Sequence, residues 1–117
     1  MAALFSVVPD ARLTHHAYVT IRHILLMRPR AETTAEQIEA ARRAITNLVG
    51  KIPGLRDCYW GENGGPRERI DGLTHAFSMD FEDKAALDAY GPHPDHTAAA
   101  ALVRAAFDRI VVLDLPL

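Results

Sequence analysis

The sequence predicts an α+β domain in which four strands and two helical segments follow the order strand, helix, strand, strand, helix, strand, with one extra short helix in the second helical segment. Three patterns predict it. Apolar residues recur at two-residue steps near 18–28 and 73–81, a stripe at three- and four-residue steps covers 38–52, and a continuous β-branched and aliphatic run fills 110–115.

Residues 1–16 carry no sustained period and contain the turn pair Pro9-Asp10, so they read as an N-terminal extension, His15-His16 included, ahead of a domain spanning 17–117. The first strand runs from about Ala17 to before Pro29. At a period of two, Val19, Ile21, His23, Leu25 and Met27 share one face, and Arg22, Ile24, Leu26 and Arg28 the other. Thr33 and Thr34, with Glu36 and Gln37 three residues after each, offer two capping-box registers for a helix whose apolar stripe is Ile38, Ala41, Ile45, Leu48, Val49 and Ile52. Pro53-Gly54 ends it. Leu55 to Trp60 is the second strand, and Gly61-Glu62-Asn63-Gly64-Gly65-Pro66 opens an exposed loop. The third strand covers about Leu73 to Phe81, with His75, Phe77, Met79 and Phe81 on one face. A short helix from Glu82 stops at Tyr90-Gly91-Pro92. Pro94 and Asp95 suit the first turn of the next helix, which runs to about Phe107. Ile110 to Leu115 then reads as a strand buried on both faces. The order is ferredoxin-like β-α-β-β-α-β with an extra helix. Its sheet has helices on one side only, yet its strands are apolar on both. A second copy of the same sheet is the simplest cover, which predicts a homodimer.

With 117 residues the chain is expected to form one domain and needs no covalent staple. Cys58 is the only cysteine, so neither an intrachain disulfide nor a cysteine-based zinc site is available, and a reducing, cytoplasmic compartment fits. Thirteen basic and fifteen acidic residues give a net charge of −2 without a basic patch, which argues against a nucleic-acid or polybasic membrane partner. The longest apolar runs fall short of the ~20 residues of a membrane helix. The N-terminus lacks the positive flank of a secretory signal and reads as part of the mature chain.

Six histidines are many for this length, and the densest polar stretch is Tyr90-Gly91-Pro92-His93-Pro94-Asp95-His96, between two helices. A histidine near neutrality serves as base or acid, and a tyrosine donates to a developing oxyanion, so Tyr90 and His96 are the candidate pair. Asp114 is a candidate to orient an imidazole. No Ser elbow is present and Cys58 has no adjacent base, which points to proton transfer rather than covalent catalysis. The competing reading makes Tyr90 and His96 a helix terminator and a first-turn residue, and His23 and His75 structural histidines. His93 and His96 with His75 form only a weak metal set, because Pro94 intervenes and no carboxylate sits at firm ligand spacing.

Taken together, Arg22-His23-Ile24-Leu25-Leu26, Ile52-Pro53-Gly54-Leu55, Tyr59-Trp60-Gly61-Glu62-Asn63, Thr74-His75-Ala76-Phe77, Tyr90 with His93-Pro94-Asp95-His96, and Val111-Val112-Leu113-Asp114 resemble the stress-responsive A/B barrel (Dabb) family over about residues 20–115. The resemblance implies a dimeric α+β barrel. It also implies, by matching motifs to cofactor-free members such as a polyketide cyclase and a hydroxynitrile lyase, His96 as general base, Tyr90 as assisting donor, and His23, His75 and Asp114 in support. No metal or organic cofactor would be required. The expected ligand is an apolar or aromatic carbonyl compound, lined either by Ile24 and Leu26 or by the opposite-face set Phe77, Met79, Leu87 and Val103. The alternatives are a non-catalytic stress-response or ligand-carrier protein, and more remotely haem or metal handling as in related dimeric barrels.

Overall fold

The structure is a computed structural model that describes residues 19–117. The extension expected over 1–16 lies outside the described residues. Four strands, β1 (Ile21–Pro29), β2 (Leu55–Glu62), β3 (His75–Phe81) and β4 (Phe107–Pro116), form one antiparallel sheet in the order β2-β3-β1-β4. Three helices, α1 (Ala35–Thr46), α2 (Lys84–Tyr90) and α3 (Pro94–Ala106), complete the ferredoxin-like α+β fold.

Of the two capping registers, the chain uses the second. The Thr34 hydroxyl accepts from the Gln37 amide at 3.1 Å, and the Gln37 side chain accepts from the Thr34 amide at 2.9 Å. α1 is shorter than its apolar stripe. The Thr46 hydroxyl donates to the Arg42 carbonyl, Asn47 caps the helix, and Gly50 at φ +91° turns the chain away. Leu48 and Ile52 therefore reach the core from turns, while Val49 is left exposed. α3 is tied down at its C-terminus from the far side of β1. Arg30 donates to the Arg104 and Ala105 carbonyls and the Thr33 hydroxyl to that of Ala106, satisfying groups that a helix end leaves open.

The strand register decides which residues share a face. Leu25 pairs with Phe77 and Val112, and Trp60 with Phe77, so the odd positions of β1 and β3 and the even positions of β2 and β4 face the helices. On that side Met27, Met79, Phe81, Ile45 and Phe107 are fully enclosed, and Trp60 stacks on Phe77 with ring centroids 5.7 Å apart. Gly54 allows β2 to begin against α2, since a Cβ there would lie 2.5 Å from that of Ala86. The other face presents Ile24, Leu26, Tyr59, Ala76, Val111, Leu113 and Leu115 with no helix over them. Within one chain β4 is thus not buried on both faces as its apolar run suggested. It is an edge strand whose odd positions lie on the uncovered side, and Leu113 and Leu115 are each 44% exposed.

Candidate active site

The junction between α2 and α3 is built from backbone constraints that the sequence states openly. Tyr90 is the last residue of α2 and is buried, Gly91 follows, and Pro94 opens α3 with His93 as its N-cap. His93 Nδ1 accepts from the Asp95 amide at 3.1 Å, so this histidine holds the turn. Two residues into α3, His96 turns back over the junction. Its Nδ1 lies 2.8 Å from the Gly91 carbonyl oxygen. A carbonyl only accepts, so Nδ1 carries the proton and Nε2 of the neutral ring is the open lone pair.

The His96 ring lies on Tyr90, centroid to centroid 4.0 Å, and Tyr90 meets His23 edge-on at 5.7 Å. His23 Nδ1 donates to Asp114 Oδ1 at 2.6 Å, a cross-strand partner 91 residues away that faces it directly in the β1–β4 register. Asp114, His23, Tyr90 and His96 therefore form one continuous group. Burial, reinforced by the Cys58 thiol group, holds the Tyr90 phenol well above its usual pKa. It stays protonated at neutral pH and can donate. Burial, with Asp57 adding to it, pushes Cys58 up to about 11, which keeps it an unreactive thiol.

His23, Tyr90 and His96 border a cavity of about 370 Å³ between the sheet and the helices, lined also by Leu25, Phe77, Leu87, Ala100, Val103 and Val112, and Asp114 is outside the lining. The opposite-face set thus supplies Phe77, Leu87 and Val103. Met79 is on the same face but packs in the core beneath, and Ile24 and Leu26 lie on the uncovered side, bordering a separate hollow of about 480 Å³. Leu25, Ala100, Arg104 and Val112 were not singled out from the sequence. Leu25 follows from the two-residue period that places His23, and Ala100 and Arg104 from four-residue steps after His96.

His75 is not in this group. It shares the face of His23, but it pairs with Met27 whereas His23 pairs with Met79, and four residues at ~3.3 Å separate the two levels by roughly 13 Å. Its ring sits between Trp60 and Phe107, Nδ1 is 2.9 Å from the Thr74 hydroxyl, and Nε2 is 3.7 Å from Glu62. Burial lowers its pKa, with Glu62 opposing. Among the described residues, no group of three or more His, Cys, Asp or Glu side chains is placed to hold a metal, and no helix is long and apolar enough to cross a membrane.

Comparisons with known proteins converge on one family. A stress-response A/B barrel domain-containing protein of Arabidopsis thaliana is 33% identical over 96 residues, covering 81% of this chain and 84% of that protein. Olivetolic acid cyclase of Cannabis sativa is 26% identical over 96 residues, covering 82% and 95%. Among solved structures, the hydroxynitrile lyase of Passiflora edulis superposes with a TM-score of 0.78 at 27% identity, covering 86% of this chain and 94% of the lyase. A dimeric ferredoxin-like protein of unknown function from Jannaschia sp. CCS1 superposes with a TM-score of 0.75 at 29% identity, covering 84% and 99%. The family model for the stress responsive A/B barrel domain matches residues 21–117, the whole folded unit from β1 onward, and the chain belongs to that family.

Proposed function

We propose that the chain is a homodimer whose cavities each catalyse proton transfer beside a carbonyl without a cofactor, in a cyclisation or a lyase step. The observation that carries this reading is the contact of Tyr90 with a His96 ring whose Nδ1 is committed to the Gly91 carbonyl, at the wall of an otherwise apolar cavity. In a cyclisation, His96 Nε2 takes a proton from the carbon next to a carbonyl. The resulting enolate attacks a second carbonyl, Tyr90 donates a hydrogen bond to the oxygen on which charge develops, and that oxygen takes the proton back from His96. In a lyase step, the same nitrogen takes the hydroxyl proton of a hydroxynitrile, the carbonyl forms, and cyanide departs with the bonding electrons and takes the proton from His96 as hydrogen cyanide. His23, held by Asp114, keeps the Tyr90 ring in place. His75 would support the fold rather than touch substrate, which departs from the role that the family resemblance implies for it.

Two of the proteins similar to this chain are a cyclase and a hydroxynitrile lyase, and the arrangement of His96 and Tyr90 offers the base and the donor that either step written above requires. The dimer reading rests on the uncovered apolar face and on the dimeric state of a similar protein. Deuterium uptake beside the carbonyl of an aryl alkyl ketone, and cleavage of benzaldehyde hydroxynitrile, test the site directly. His96→Ala is expected to lower either rate by ~10²–10⁴-fold with an unchanged melting curve. Activity that survives His96→Ala overturns His96 as the base, and no acceleration of either reaction by the wild-type chain favours a non-catalytic ligand carrier instead.

A further inference from the structure

The cavity has a second polar end. α3 runs antiparallel to the strand that follows it, so its N-terminal His96 lies at the level of His23 and Asp114, and its C-terminal Arg104 at the level where β4 starts, near Ile110. Eight residues at a rise of ~1.5 Å place Arg104 roughly 12 Å along α3 from His96. Between the two ends the lining is Leu25, Ala100, Val103 and Val112, with Ala100 small enough to leave the passage open. Arg22, Arg28, Arg42, Arg43 and Arg109 are each paired with a carboxylate, and of the described arginines that form no salt bridge with a described residue, Arg30, Arg56, Arg67, Arg69 and the exposed Arg104, only Arg104 borders this cavity. It is the one cation that lines the cavity among the described residues.

Resting on the reading of this cavity as the reaction site, we propose that Arg104 anchors the substrate, which is an amphiphilic carbonyl acid. Its carboxylate pairs with Arg104, its aliphatic or aromatic body fills the apolar middle, and its reacting carbonyl lies between Tyr90 and His96. A guanidinium fork matches a carboxylate through two parallel hydrogen bonds. Arg30 at that end is committed to the α3 carbonyls and is not part of the cavity lining, so Arg104 faces the ligand as its one guanidinium, and a monoanion is balanced where a phosphate dianion would retain uncompensated charge. The apolar stretch between the ends sets the length of the substrate, and the position of Arg104 sets which end enters first.

The test compares octanoate with its neutral analogue octanamide by NMR titration of the full chain, following the resonances of Tyr90, His96, Ala100 and the Arg104 Nε–H group. Octanoate is expected to bind tighter by on the order of tenfold, a preference that disappears in Arg104→Gln, survives in Arg104→Lys at reduced size, and persists in His96→Gln. Equal affinity of the two probes for the wild-type cavity overturns the anchor while leaving the cavity reading intact. So does a preference that survives Arg104→Gln or vanishes in His96→Gln, since the carboxylate would then sit elsewhere. If neither probe shifts any cavity resonance, the anchor and the cavity reading fall together.

Discussion

Replacing Tyr90 by Phe separates chemistry from packing at one atom. The ring of Tyr90 is buried, 4.9 Å from Phe81 and 4.0 Å from His96 by centroid, so most of its contribution to stability comes from contacts that Phe keeps. The hydroxyl makes none of the side-chain hydrogen bonds of the described residues and is not among buried atoms lacking a partner, so removing it leaves nothing stranded. The melting temperature of Tyr90→Phe should therefore stay within a few degrees of wild type. Loss of a donor to a developing oxyanion typically costs ~10²–10³-fold in turnover, and that is the expected loss in hydroxynitrile cleavage or deuterium uptake. Tyr90→Ala provides the contrast. Truncating a buried aromatic costs about 3–5 kcal/mol, which at ~4 °C or more per kcal/mol lowers the melting temperature by roughly 10 °C or more. Turnover by Tyr90→Phe within about threefold of wild type would refute the donor role and leave Tyr90 as a packing residue.

Thr34→Ala removes the hydroxyl half of the α1 capping box and leaves the bond from the residue-34 amide to the Gln37 side chain, and about 1 kcal/mol of stability should go with it, seen as a melting-temperature drop of about 4–8 °C with turnover per folded molecule unchanged. His75 has a folded-state pKa below the 6.5 of the unfolded reference, so its contribution is whole above about pH 6.5 and is lost as pH falls through the depressed value. Melting temperature followed from pH 8 to pH 4 should fall less steeply below pH 6.5 in His75→Gln than in wild type, and an identical slope would show that His75 plays no part. Leu113→Arg puts a charge on the uncovered sheet face, where burial against a second sheet would leave it unpaired. Sedimentation should then report a folded monomer, and a persistent dimer would locate the interface elsewhere.

Much of this fold can be read from residue spacing because its elements carry strong local signals: the capping threonine before α1, Gly91-Pro92 after α2 and Pro94 at the start of α3 all mark boundaries that the structure keeps. The misreadings share a cause. The apolar stripe continues past Thr46 because Leu48 and Ile52 are needed in the core, but burial does not require them to be helical, and Asn47 and Gly50 end the helix first. β4 reads as doubly buried because its uncovered face is apolar, and within one chain nothing lies across that face; the cover that the pattern calls for is the second sheet of the proposed dimer. In the site, Tyr90 and His96 were visible as neighbours of one turn. The His23–Asp114 pair depends on a register between the first and last strands, which local sequence does not encode. Register also separates His23 from His75, although both occupy the same face.

The junction shows how one side-chain type is given two tasks three residues apart. His93 Nδ1 accepts from the Asp95 amide, which requires the lone pair there and leaves the proton on Nε2. His96 Nδ1 faces the Gly91 carbonyl, which requires the proton there and leaves the lone pair on Nε2. The two rings are thus held in opposite tautomers by backbone groups alone, one as a cap and one as an available base. Each ring has one nitrogen occupied by the backbone, so the two cannot both turn Nδ1 to a metal without dissolving the turn that positions them. Proline at position 94 enforces the arrangement, because it fixes the start of α3 while supplying no amide hydrogen of its own to compete for His93. Breaking the His93 cap should therefore disturb His96 through the helix start, and a His93→Ala variant that loses turnover in proportion to the fraying of α3 would trace the basic nitrogen to its support.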